Sequence, residues 1–262
     1  MAFRKIFYTI KVSLKGGGKS MSQGNPLFNE KAYEQALNRA EVGQSMTLQG
    51  TINKTFALLF LCVVAGMWAW HHYEAIFGYA ILIVIATFIV AMIVTFRKTS
   101  APLLAPVYAI GQGVLLGTVS AAYNVTYQGI VGQAVTITLL VFALMLFLYR
   151  TGIIRVTSSF AIGVTAATGA ITLFYLGSML VGFFGINVPY FTSTSSLSIA
   201  VNVIICIVAA LNFAIDFSFI DHLTTQVQAP KYMEWYAGFS LMVTLVWLYL
   251  EVLRLLARTR NR

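Results

Sequence analysis

The sequence predicts an all-α, polytopic membrane protein: a bundle of seven transmembrane helices. Three observations carry this. Of the 262 residues, 59% are hydrophobic and only 10% are charged, whereas a soluble domain carries about 25% charged residues. Seven predominantly apolar stretches each approach the roughly 20 residues that a helix, rising about 1.5 Å per residue, needs to cross a hydrocarbon core of about 30 Å. Finally, runs such as Ile81 to Val94 and Val135 to Leu148 are continuous and lack the alternation over about 10 residues that a membrane barrel requires.

In order, the stretches lie at 55–73, 75–95, 103–123, 131–149, 160–184, 198–220 and 235–257. They divide the chain into an N-terminal arm (1–50), a transmembrane domain (51–258) and a short basic tail (259–262). Within the arm, Met1 to Leu14 is basic and amphipathic and is followed by Gly16, Gly17 and Gly18. No apolar core with a small-residue cleavage site follows, so it does not read as a signal peptide. Both Met1 and Met21 are compatible with a translation start. Residues 29–42 predict a short surface helix, with Asn29 as N-cap and Glu30 and Glu34 favouring its dipole.

Lys and Arg mark the loops that stay on the cytoplasmic side. Eight of them precede or end at Lys54; the first, third and fifth connections hold none, the second has Arg97 and Lys98, and the fourth has Arg150 and Arg155. This alternation puts the N-terminus in the cytoplasm. The C-terminus carries Arg254, Arg258, Arg260 and Arg262, which seven crossings send to the far side, against the rule. Six crossings and one re-entrant segment keep them inside. The length of the last stretch favours seven. The formal charge of +9 is thus explained by topology, and no nucleic-acid partner is expected because the basic residues form no single soluble face.

Several residue patterns invite a chemical reading. Gly18-Lys19-Ser20 resembles the end of a phosphate-binding loop, but Ser13 stands where that loop needs glycine and no strand precedes it. His71, His72 and Glu74 are metal-ligand types, yet adjacent histidines cannot share one helix face. They read as interfacial residues beside Trp68 and Trp70, and no metal site is expected. Cys62 and Cys206 lie in apolar stretches, where they serve as small core residues. Gly113 and Gly117, with Ala121 a turn further, form a small-residue stripe for close helix packing, and Gly163 and Ala167 repeat the pattern.

Acidic residues within spans carry the most information, since one at a helix centre costs about 2.5 to 3.5 kcal/mol on the gentler insertion scale. Asp216 follows a long apolar run from Ala200 to Ile215. A carboxyl group there can hold a proton and release it as its surroundings change, or it can simply tie helices together through Asn212, Ser218 or Gln112. Asp221, five residues on and roughly 140° around the helix, belongs at the interface. Glu251 and Arg254 stand at i and i+3 and predict a structural salt bridge. The last two helices are antiparallel across a short loop. Asp216 is therefore level with Ser240 to Thr244, and Glu251 lies on the order of 10 to 16 Å further along.

A set of ordered segments resembles a bacterial member of the Bax inhibitor-like family. They are Asn25-Pro26-Leu27-Phe28; Met46-Thr47 with Gly50-Thr51; Ala101-Pro102-Leu103-Leu104-Ala105-Pro106; Leu211-Asn212-Phe213 with Asp216-Phe217; and Ala229-Pro230-Lys231-Tyr232-Met233-Glu234-Trp235 through Leu253-Arg254. The resemblance covers roughly residues 25–257. It implies a bacterial cytoplasmic membrane and a last helix wrapped by the other six. It also implies a pH-sensitive calcium leak governed by two aspartates. Asp216 matches the first, but ten residues before Arg254, where the second falls, stands Thr244. A lone carboxylate has no like charge to share a proton with, and Ca²⁺ prefers six to eight oxygen ligands, so the substitution bears on both gating and ion choice.

The expected function is therefore a cation leak through Asp216, Thr244, Asn212 and Ser240, with calcium as a permeant ion and no bound cofactor. The alternative is a regulatory protein that modulates a membrane protease or a stress response by binding a membrane-protein partner through its arm. No nucleophile with a base is evident, so no enzyme is expected.

Overall fold

The computed structural model describes residues 45–184 and 195–261. The arm helix at 29–42, the glycine-lysine segment at 16–20, residues 25–28 and Arg262 lie outside these. The described chain forms α1 (Leu48–His71), α2 (Tyr73–Phe77), α3 (Ala80–Phe96), α4 (Ala101–Thr126), α5 (Ile130–Arg150), α6 (Ser158–Phe183), α7 (Ser196–His222) and α8 (Met233–Arg260), with no strand among the described residues. Six of these, all but α2 and α3, are long and apolar enough to cross a membrane.

Most helices extend a few residues past their apolar stretches, because caps carry the ladder into the interface. Thr47 caps α1 by accepting from Gly50 N, Thr157 caps α6, and Ser195 caps α7. The second expected span, 75–95, differs. Its start is a separate five-residue helix, and only Ala80–Phe96, 17 residues, is one continuous apolar helix. The break falls at Gly78, the C-cap of α2. The turn between α7 and α8 opens with a π-helical segment, Leu223–Val227, and closes with Gln228 in the left-handed region at φ 49°.

Helix α8 packs against α1, α4, α5 and α7, and α3 packs on α4. In the most apolar window of α8, 61% of residues are buried, against 6% in α6, so α8 is the core helix and α6 is peripheral. Sequence character follows this arrangement. Helix α8 carries Glu234, Glu251 and Arg258 with all three buried, whereas α3 has no charged residue at all. A helix surrounded by protein can partner its charges; one that faces lipid cannot.

Helices α1 and α4 come close enough that glycine is required between them. A Cβ on Gly113 meets the Cys62 carbonyl, and one on Gly117 meets the backbone of Gly66. The stripe expected in α4 therefore packs on α1. The matching expectation for α6 does not hold: nothing lies within 4 Å of a Cβ built on Gly163, because that residue faces outward.

The two ends of α8 fix the relation of its arginines to the chain start. Its first turn lies beside the start of α1, where Thr47 N and Oγ1 donate to Glu234 Oε1 at 3.1 and 3.0 Å and Met46 N donates to Ala229 O at 2.7 Å. At its last turn, Arg260 donates to Gln128 O, in the turn between α4 and α5, and to Gln133 Oε1 of α5, each at 2.9 Å. The helix is unbroken over 28 residues, about 42 Å. It runs from one end of the bundle to the other. Its arginines are employed structurally: Arg258 is buried and donates to Ser198 O at 2.9 Å.

Candidate functional site

Asp216 sits on α7 with its side chain directed to α8 and is buried. Ser240 Oγ donates to Oδ1 and Thr244 Oγ1 to Oδ2, each at 2.6 Å. Ser240 and Thr244 are one turn apart on α8, so a single helix face presents two hydroxyls to the two oxygens of one carboxylate. The register expected from the short antiparallel connection is the one observed.

Thr244 has one hydroxyl proton and two acceptors in reach: Asp216 Oδ2 at 2.6 Å and Ser240 O at 3.2 Å. When the carboxylate is ionised it is an acceptor only, and the hydroxyl donates to it. When it is protonated, its own O–H can donate to Thr244 Oγ1, and the threonine proton turns to the Ser240 carbonyl. Both protonation states thus keep a satisfied network, and the charge changes without stranding a buried polar atom.

Beside this network lies a groove of about 710 Å³ between α3, α4 and α8. Near Asp216 its wall is polar, with Tyr108 and Gln112 from α4 and Tyr236 and Ser240 from α8. Ser240 therefore touches both the carboxylate and the groove. Gln112 lines the groove and makes no hydrogen bond to Asp216. Asn212 is turned the other way, with Nδ2 donating to Thr168 Oγ1 of α6 and to Val208 O, each at 2.8 Å. Being one turn before Asp216 does not bring it to the carboxylate. Asp221 is exposed at the end of α7 and accepts from Tyr149 OH at 3.3 Å.

A second polar cluster lies toward the other end of α8. Arg254 Nη1 donates to both oxygens of Glu251 at 3.0 Å, the pair that the i, i+3 spacing predicted. Spacing did not reveal two further members. Tyr175 OH of α6 donates to Glu251 Oε1 at 2.8 Å, and Asn202 Nδ2 of α7 donates to Oε2 at 3.0 Å. Glu234 was also missed as a helix-tying residue. Its signal was available: with only eight Asp and Glu in the chain, an acid next to an apolar span is seldom incidental. His72 Nδ1 is 2.9 Å from Trp68 O and its ring stacks on Trp68, while Tyr73 OH donates to Glu74. Among the described residues no group of three His, Cys, Asp or Glu is placed to hold a metal.

Fold and site together define an integral membrane protein of apolar helices around a charged core helix, with one intramembrane carboxylate held by hydroxyls at the edge of a groove. A family model described as Bax inhibitor 1 like matches residues 25–261, and the chain belongs to that family. No curated protein and no solved structure matches it.

Proposed function

We propose that this protein is a cation leak of the bacterial cytoplasmic membrane, with calcium among its permeant ions, controlled by protonation of Asp216. One observation carries the reading: the Asp216 carboxylate is buried, yet Ser240, which holds it, forms part of a groove wall that also presents Gln112 and Tyr236. A cation in the groove meets hydroxyl and amide oxygens beside a carboxylate, the donor chemistry that suits hard cations. An ionised Asp216 attracts it and a protonated one does not. Thr244 supplies the partner that a second carboxylate supplies in the relatives, and it does so without like-charge repulsion.

In this reading the chain crosses the membrane seven times. Helix α3, at 17 residues, spans about 25 Å and lies at the short end of the range for a crossing. The start of α1 faces the cytoplasm, in keeping with the alternation of basic loops, and the end of α8 faces the opposite side. The protein carries no cofactor and catalyses no reaction.

The test is calcium and proton flux into liposomes holding the purified protein, wild type against Asp216→Asn, across about pH 5 to 8. Flux that varies with pH and loses that variation in the substituted protein supports the proposal. Flux no greater than that of empty liposomes sinks it.

A regulatory role is favoured by one separate observation. Ser45, Met46 and Thr47, where the arm enters α1, are bound to Pro230, Ala229 and Glu234 at the start of α8. A partner that pulls on the arm thus acts on the helix bearing Ser240 and Thr244. Removal of residues 1–45 is expected to leave an intrinsic leak intact but to abolish a docking role.

A further inference from the structure

Asn202 is an amide deep in a membrane helix, and its two ends can be told apart by their neighbours. The residue is 0% exposed. Its Nδ2 donates to two acceptors of α8, Glu251 O at 3.3 Å and Glu251 Oε2 at 3.0 Å. Turning the amide over would set its oxygen against both, acceptor facing acceptor, so the orientation is fixed. Oδ1 then accepts a hydrogen bond from none of the described residues. A buried carbonyl oxygen left bare costs its full desolvation, and hydrocarbon supplies no substitute partner. In folded proteins such atoms are bonded to protein or to ordered water in the great majority of cases.

The partner that fits Oδ1 donates a hydrogen bond, is small and is neutral. Glu251 and Arg254 already balance each other at 3.0 Å, so the cluster has no net charge to draw an ion, and one amide oxygen is far short of the six to eight that calcium takes. Water meets all three conditions. It also has a way in. Asn202 lies six residues from the start of α7 and Arg254 six from the end of α8, each about 9 Å. Arg254 is 26% exposed. Cys206, one turn after Asn202 with Sγ 3.9 Å from Nδ2, is half-buried. Helix α6, which borders the cluster through Tyr175, is the least buried of the six long helices, so the wall on that side is loosely packed and leaves room for a water. Further in, the seam closes: Ile205 and Ala209 of α7 and Leu248 of α8 are apolar and buried.

We infer that Asn202 is the floor of a water-binding site, an aqueous inlet between α6, α7 and α8 that opens on the membrane surface at the C-terminal end of α8. One water donates to Asn202 Oδ1, beside the Glu251 and Arg254 pair. The inlet ends at Ile205 and Leu248, so Glu251 is in contact with water from one side of the membrane while Asp216 lies beyond a dry seam. The site stands independently of the leak, since it is built on Asn202 and not on Asp216.

The test is X-ray footprinting of the full-length protein in lipid nanodiscs. A short pulse splits bound water in place, and the hydroxyl radical oxidises the side chain beside it before it can diffuse away. Oxidation of the two cysteines is read by mass spectrometry of one sample. Cys62 is buried at the close contact of α1 with α4 and serves as the dry control. Cys206 is expected to be oxidised at short exposure and Cys62 to stay intact. Asn202→Leu, which keeps the volume and removes the acceptor, is expected to abolish oxidation at Cys206 while exposed loop residues are oxidised as before. Cys206 as unreactive as Cys62 in the wild type, or equally oxidised in Asn202→Leu, overturns the inference. The first of these is read on the unaltered chain and stands even if the substituted one fails to fold.

Discussion

Thr244 Oγ1 stands 2.6 Å from Asp216 Oδ2 and 3.2 Å from Ser240 O, so one hydroxyl proton serves two acceptors. Thr244 is thus a group that adapts to the charge of Asp216 without contributing any of its own.

Thr244→Asp creates a carboxylate pair. Two acids this close share a proton, and their titration becomes coupled. Plotted against pH, calcium flux in liposomes is expected to change more steeply than for the wild type; an unchanged slope excludes Asp216 and position 244 as the sensor.

The proposed leak predicts a pH response of definite sign. An ionised Asp216 places a negative charge beside the groove, so cation flux is expected to rise with pH and to fall as protonation removes the charge. Asp216→Asn is neutral at every pH and keeps one acceptor for the two hydroxyls, so its flux is low and flat. A flux that falls as pH rises contradicts this assignment.

Glu234 joins the starts of α1 and α8. Glu234→Ala leaves Thr47 N and Oγ1 without their acceptor, at a cost of about 1 to 3 kcal/mol. Gly50→Ala attacks the same contact from the other side, because its Cβ meets the Glu234 carboxylate. Both variants should lower the thermal unfolding midpoint in detergent, which can be followed by exposure of the buried thiol of Cys62.

Arg254→Gln strips the partner from a carboxylate that is 2% exposed, and removing one member of a buried pair costs about 3 to 5 kcal/mol. Adding Glu251→Gln should recover much of that loss, because the remaining Tyr175 and Asn202 contacts suit an amide. A double-mutant cycle on unfolding midpoints measures the coupling; additive losses would show that the two side chains do not act as a pair.

Gly117→Ala drives a methyl group into the backbone of Gly66. Backbone cannot swing aside as a side chain does, so α1 and α4 must separate, at about 1 to 3 kcal/mol for overpacking. Gly163→Ala, in open space, should leave the unfolding midpoint unchanged.

Much of this molecule was legible before any coordinates, because a bilayer imposes length and polarity on each helix separately. The apolar stretches, the i, i+3 pairing of Glu251 with Arg254 and the level of Asp216 against Ser240 and Thr244 all depend on local periodicity and one short connection. Asn212 shows where that reasoning ends. It shares a helix with Asp216, yet its amide is bound to Thr168 of α6, a choice made by the neighbouring helix and not by spacing.

Sequence alone thus determined the class of protein, its helices, its family likeness and the isolation of Asp216, since these follow from composition and local order. Tertiary structure decided that Glu234 ties α8 to α1 and that Tyr175 and Asn202 complete the Glu251 cluster. It also separated the Gly117 stripe, which packs, from Gly163, which does not. Each of those depends on which helix stands beside which. In lipid that choice is made by close packing and hydrogen bonds between helices rather than by hydrophobicity, and these act between residues far apart in the chain.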